Sequence, residues 1–436
     1  MTEPLDPPTR PRILAVADSD SYFKFACSTL DALGPAWDRQ VVLVRTPILP
    51  TPGQQAAATA GTFLQDTAPV RVLPTRALAP LLESADVVLA AATGPVVQEV
   101  FHRVAARHLR PTAYPLARVC RAARRLWRGH RVTGPPASSS PVRTGRSTAL
   151  VSALPGVAYP ATAKAMRFRA LGDAFITHSH AEARDFTAVL AALGERQAVL
   201  TARLPFLASA GQPVPNTTTV GSVVFAAQAK FPVERIEREQ VLEALARTGR
   251  ANPHVQVIVK LRATAGGPQT HREAHPFDRL WQDLLARGRV GAGEVRFATG
   301  PMDAVLRPGT LLVSVSSTAV LEAVDRGLPA IVLGDFGVGP ALYNQVFAGS
   351  GLVGGLADVE ALDGRHPETG WLRDHYFHPP GPEPAASLLE LARRARAGGL
   401  STSADAVAAA RRLAVRNRLR TALPAPALRL VRAMRR

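Results

Sequence analysis

Four hydroxyl side chains, Ser314, Ser316, Ser317 and Thr318, gather in the run TLLVSVSSTAVLEAVDRG, and the residues around them say how they are held. TLLVSVS reads as a buried strand, and Thr318 to Arg326 has helical spacing that stops before Gly327, with Pro329 beyond. A strand, a polar loop and a helix start bring hydroxyls, free backbone N–H groups and a positive helix dipole to one point. That is the chemistry of an anion site. The plainer use of Ser317 or Thr318 is as a helix cap, which needs one hydroxyl only. Glu322, one turn further on, can accept from ribose hydroxyls or pair with Arg326 four residues later.

Three other places carry candidate chemistry. Lys260 and Arg262 end the strand VQVIVKLR, where a cation can meet a phosphate or simply stand exposed. Asp18 and Asp20 lie in DSDSY, directly after the first strand RILAVA, the position at which α/β proteins bind ligands. Either carboxylate can take a proton from an acceptor hydroxyl within hydrogen-bond reach, or cap the next helix through an Asx turn. His178 ends the strand-like AFITHS, and its imidazole is the competing candidate for that base. The HSH spacing lacks a third zinc ligand, and no Walker loop, GxSxG elbow or HExxH helix is present. DSD has no third acidic partner for a divalent cation, so neither metal nor cofactor is expected.

Positioning these groups calls for alternating strands and helices, which indicates parallel sheets covered on both faces. The expected fold class is α/β, with two Rossmann-like parallel-sheet domains facing a cleft. ASAGQPVPNTTT, residues 208–219, breaks the alternation and reads as a linker between an acceptor-side domain, 1–207, and a nucleotide-donor domain, 220–398. Residues 399–436 read as a basic helical tail. The Gly, Pro and Ser density of 129–147 predicts a mobile surface loop.

With 436 residues, 47% of them hydrophobic, the chain can fill two such cores. No apolar run reaches membrane-span length and the first residues lack the apolar core of a signal peptide, which predicts a cytoplasmic protein. Cys27 and Cys120 lie far apart in apolar helical contexts and read as thiols. A net charge of +18 suits polyanions of several kinds. Aromatic residues, at 6%, are too few to interleave with the arginines as single-strand nucleic-acid binding requires, so nucleic acid is an unlikely partner. The tail from Arg411 has arginines and no acidic residue; it can rest on an anionic membrane surface or stay solvated.

Together, TLLVSVSSTAVLEAVDRG, VIVKLR and GVGPALYNQVFAGSGLV resemble the donor domain of GT-B glycosyltransferases. The similarity is to the capsule and polysialic-acid type, to the teichoic-acid polyol-phosphate transferases, and to a bacterial glycosyltransferase-like family that opens with a strand followed by ADSDSYFK. The resemblance implies that Ser316, Ser317, Thr318 and Glu322 hold a donor nucleotide. It also implies transfer of a sugar or polyol phosphate from a nucleotide-activated donor to a polysaccharide or lipid-linked acceptor of the cell envelope. Where those enzymes carry Lys-x-His-Pro, this chain has Lys260, Leu261, Arg262 and Ala263, so Arg262 replaces the histidine as the cation and His271 or His275 can return to the site. A nucleotide-sugar epimerase of the same fold is the sister reading. An arginine-rich protein that binds nucleic acid or anionic surfaces is the reading from another class.

Overall fold

The computed structural model describes residues 10–108, 143–207, 213–216, 218–262, 273–379 and 383–422. In chain order its first strands are β1 (Arg12–Ala17), β2 (Asp38–Val44), β3 (Val72–Leu73), β4 (Val87–Ala90), β5 (Arg143–Arg146), β6 (Ala149–Ala153), β7 (Ala174–Thr177) and β8 (Ala198–Thr201). Seven of them form one parallel sheet in the order β3-β2-β1-β4-β6-β7-β8. The second half adds β9 (Ser222–Ala226), β10 (Gln256–Lys260), β11 (Arg296–Ala298), β12 (Thr310–Ser314), β13 (Ala330–Leu333), β14 (Val353–Gly354) and β15 (Leu400–Ser403). Six of these make a second parallel sheet, β11-β10-β9-β12-β13-β14.

Strands this continuously apolar stay soluble only if both faces are covered. Ile13, Ala15 and Ala17 of β1 pack with the helix Asp20–Ala32, while Leu14 and Val16 pack with the helix Gly94–His108 on the opposite face. The second sheet divides in the same way, Val223 and Val313 to one side, Val224 and Leu312 to the other. In both sheets the crossovers change direction once, between β1 and β4 and between β9 and β12. Those two gaps are where a doubly wound sheet leaves a crevice at its strands' carboxyl ends.

After the second sheet the chain returns to the first. The helix Glu383–Arg396 buries Leu388, Leu391, Ala392 and Ala395 in the core of the first sheet, although sequence spacing groups residues up to 398 with the second. Its apolar stripe finds its matching surface there. The tail is likewise integrated at its start: β15 pairs antiparallel with β5, and the helix Ala404–Ala422 packs on Gly94–His108. Of the expected mobile loop, 129–142 lies outside the described residues, whereas Arg143–Arg146 is strand. The buried Arg146 guanidinium holds it, donating to Asp173 at 2.5 and 2.7 Å, to Thr402 Oγ1 at 3.1 Å and to the Thr148 carbonyl. Among the described residues no helix is long and apolar enough to cross a membrane.

The connection between the sheets is tied down at Gly327. This residue has φ +68°, its carbonyl accepts from Asn216 N–H at 2.7 Å, and a Cβ added there would lie 1.9 Å from the Val214 carbonyl oxygen. Gly327→Ala therefore meets both left-handed strain and a backbone clash, and should cost more than about 2 kcal/mol in denaturant unfolding. An unchanged midpoint would show that residues 213–216 do not rest on this turn.

Candidate functional site

The first crevice is bridged by Asp18, which is fully buried. Its carboxylate accepts the Thr93 N–H at 3.1 Å on each oxygen and also the Thr93 hydroxyl, so the loop after β1 is joined to the loop after β4. Burial raises the Asp18 pKa above its ordinary value, and the Thr93 bonds oppose that rise. With both oxygens engaged and no exposed surface, Asp18 braces the crevice and offers nothing to an acceptor. Asp20, the first residue of the helix Asp20–Ala32, stands half-buried at the rim. Burial raises its pKa too, opposed by the charges of Arg262 and Lys24.

His178 does not match its expected role as a base. It is 1% exposed, Nδ1 faces the Ala202 carbonyl at 3.1 Å and Nε2 faces the Leu154 carbonyl at 2.8 Å. Neither nitrogen is left to receive a proton from an acceptor. Its own N–H donates to Glu182, which also accepts from Ala158 N–H at 2.8 Å and Tyr376 Oη at 2.7 Å. Because Tyr376 lies beyond the second sheet, this buried carboxylate joins the two halves, helped at the surface by the bidentate Arg184–Asp374 pair at 2.6 and 2.7 Å.

In the second crevice, the four hydroxyls separate into different roles. Ser314 Oγ is buried and donates to the Ala226 carbonyl at 3.0 Å, so it joins β12 to β9 rather than facing a ligand. Ser316, Ser317 and Thr318 are half-exposed. Gln228, two residues beyond β9, accepts the Ser316 N–H on Oε1 at 2.8 Å and donates from Nε2 to Ser316 Oγ at 3.3 Å. Ser317 Oγ accepts the Ala319 N–H at 3.2 Å at the start of the helix Ala319–Asp325. Thr318 makes no side-chain cap bond; its methyl lies 3.0 Å from where a Cβ on Gly156 of the first domain would be, which shows how closely the two halves approach.

The charged residues complete the rim. Arg326 pairs with Asp303 and donates to the Leu306 carbonyl at 2.9 Å, so of the two readings of Glu322 the ion pair with Arg326 is not the one formed. Glu322 is instead half-buried, with its pKa raised by burial and Lys24 of the first domain as the chief opposing charge. Lys260 is buried at 5% exposure: Nζ donates to the Gly300 carbonyl at 2.6 Å and to the Leu261 carbonyl at 3.1 Å. Burial lowers its pKa, Arg262 adds to the lowering, and Glu322 opposes it. Arg262 is exposed, across from Asp20. The His275 carbonyl accepts from Arg238 at 2.9 Å; His271 lies outside the described residues.

Sequence reasoning missed Thr93 and Gln228 as members of the two rims, which Lys24, in the segment after the first strand, also joins. The first two stand in the loops that follow β4 and β9, so strand ends at a change of crossover direction were their only signal. Arg169 was also missed: it is 2% exposed beside Tyr22, with Nη1 donating to the Ala165 carbonyl at 3.0 Å. No group of three or more His, Cys, Asp or Glu side chains stands ready for a metal ion among the described residues.

Residues 13–392 match the family described as "Putative glycosyltransferase (DUF6716)". No curated protein matches the chain in sequence. In three dimensions it is similar to a "putative UDP-N-acetylglucosamine 2-epimerase" from Listeria monocytogenes, at 12% identity and a TM-score of 0.51 over 88% of this chain and 96% of that one. At that identity the likeness is one of fold, the two-sheet GT-B arrangement. Lower-scoring matches include the S. aureus MnaA-UDP co-structure, at 10% identity and 0.48 over 87% and 95%. Another is the lipopolysaccharide outer core galactosyltransferase WaaB, at 11% identity and 0.39 over 89% and 100%.

The Asp18 brace makes a pH-dependent prediction. Thr93→Val removes the hydroxyl donor and keeps the N–H, which penalises the ionised carboxylate more than the protonated one. The loss should be about 1 to 2 kcal/mol on the alkaline side of the raised Asp18 pKa, where the carboxylate is charged, and should shrink as pH falls through it. A loss that stays constant in urea melts all the way down the acid limb, below the ordinary aspartate value of 3.8, would contradict the brace.

Proposed function

The chain belongs to this glycosyltransferase family, and from that premise we propose that it transfers a sugar, or a polyol phosphate, from a nucleotide-activated donor to a cell-envelope glycan or lipid-linked acceptor, without a metal ion. The observation that carries the reading is the pairing of charges across the cleft. Asp20 and Lys24 of the first domain lie within electrostatic reach of Arg262 and Glu322 of the second. The Listeria protein of similar fold is named for a UDP-N-acetylglucosamine enzyme, which agrees with a nucleotide-sugar donor.

In this reading the donor lies in the second crevice. Ser316, Ser317 and Thr318 meet its phosphates through hydroxyls and the loop's backbone, Glu322 accepts from the ribose, and Lys260 and Arg262 supply positive charge. Donor phosphates draw Arg262 away from Asp20. Its carboxylate is then free to take the proton of the acceptor hydroxyl, and the burial that raises its pKa makes it a better base. The acceptor oxygen forms the new bond to the reacting carbon, or to phosphorus for a polyol phosphate. The bond to the departing nucleotide breaks, and its electron pair leaves on a phosphate oxygen stabilised by the cations and amides. Exposed arginines on the returning helices, Arg393, Arg394, Arg411 and Arg412, provide a basic surface suited to an anionic membrane at the cytoplasmic side.

Thermal-shift measurements with CMP, CDP, UDP, GDP and their sugars should pick out one nucleotide that raises the melting temperature. The gain corresponds to about 2.7 kcal/mol at a hundred times Kd. Ser317→Ala and Lys260→Ala should each reduce that shift; if no nucleotide acts at millimolar concentration, the donor reading fails. With the donor found, Asp20→Asn should lower kcat about 100-fold or more while leaving nucleotide affinity near wild type. The wild-type rate should fall toward acid along a limb that lies above the ordinary aspartate value of 3.8, and should survive EDTA. Full activity in Asp20→Asn would remove it as the base.

A further inference from the structure

We infer that Gln228 is a positioning residue for the donor site, one that turns the Ser316 hydroxyl outward as a hydrogen-bond donor to phosphate; this rests on the reading above. The Ser316 N–H can only donate, so the oxygen of the Gln228 amide must be the atom that faces it, at 2.8 Å. The amide's NH2 group is thereby directed at Ser316 Oγ, 3.3 Å away. Oγ must accept from it, and its own hydrogen points away from Gln228. A primary amide is the side chain of this length that accepts from a backbone N–H and donates to a hydroxyl at once. A glutamate would accept both hydrogens and turn the hydroxyl inward.

Gln228 can hold this orientation because its own loop has little freedom. The guanidinium of Arg238, 2% exposed, donates to the carbonyls of Gln228 at 3.2 Å, Ala229 at 2.9 Å and Pro232 at 2.8 Å. It is held in turn by Glu273 at 2.5 Å and the His275 carbonyl at 2.9 Å. One buried cation therefore fastens residues 228–232 to the helix Arg235–Ala251, and Gln228 transmits that position to the loop after β12. A further consequence is that the Ser316 N–H is already used. Phosphate meets Ser316 through its hydroxyl.

Isothermal titration of CDP, UDP and GDP, each against its own nucleoside, tests the assignment with wild type, Gln228→Glu, Gln228→Met and Ser316→Ala, all checked for a cooperative thermal melt. Wild type should prefer the diphosphate. Gln228→Glu should cut that preference about tenfold or more while nucleoside affinity holds, because it withdraws a donor and adds a negative charge. Ser316→Ala should lower the preference in wild type and change it little in a Gln228→Met background, the coupling expected of residues that act together. Diphosphate preference unchanged in Gln228→Glu, or additive losses in the double variant, overturns the assignment. If Gln228→Glu does not fold, the Ser316 and Met cycle decides alone. Wild type that binds no nucleoside diphosphate defeats the donor reading itself and this inference with it.

Discussion

A parallel sheet whose crossovers change direction must leave a crevice where they part, and in this protein a polar side chain links the loops on the two sides of each such crevice. Asp18 reaches Thr93 in the first sheet, and Gln228 reaches Ser316 in the second. Apolar residues in those places would close the gaps. Unbridged gaps would leave the loops after the strands without a defined distance between them. A polar bridge keeps the crevice open at one width, satisfies backbone groups that have no sheet partner, and presents what remains of the loop to the opposite domain. The rest of the candidate site is built on those two spans.

What faces the cleft is governed by burial as much as by charge. Asp20 and Glu322 both have raised pKa values because they have lost part of their hydration, and each has a cation of the other domain to offset that cost. Lys260 has the opposite problem, and two carbonyl oxygens hold its ammonium where desolvation would favour the neutral amine. Such groups sit ready to respond when a doubly charged ligand arrives. Other buried charges, Glu182 and Arg146, have several partners each and serve only to hold the chain in place.

The sheets were legible in sequence because buried parallel strands are unbroken apolar runs, and the loop before Ala319 was legible because small polar residues between strand and helix have few other uses. The brace at Asp18 was not, since its partner lies 75 residues away in a loop of plain composition. His178 misled for a related reason. Nothing in HSH announces that two backbone carbonyls from distant segments occupy its ring nitrogens. Arg143–Arg146 was hidden by its neighbours, whose Gly, Pro and Ser content describes their own segment rather than the strand beside it. The helix Glu383–Arg396 showed its apolar stripe, but a stripe does not say which of two sheets will cover it.

Hydrogen–deuterium exchange with and without a saturating nucleoside diphosphate locates the donor most directly. The account predicts slower exchange in peptides that span residues 315–322 and 227–230, with little change around Leu154, His178 and Ala202. Protection confined to the first crevice, or none in 315–322 under saturation, would contradict a donor site in the second domain.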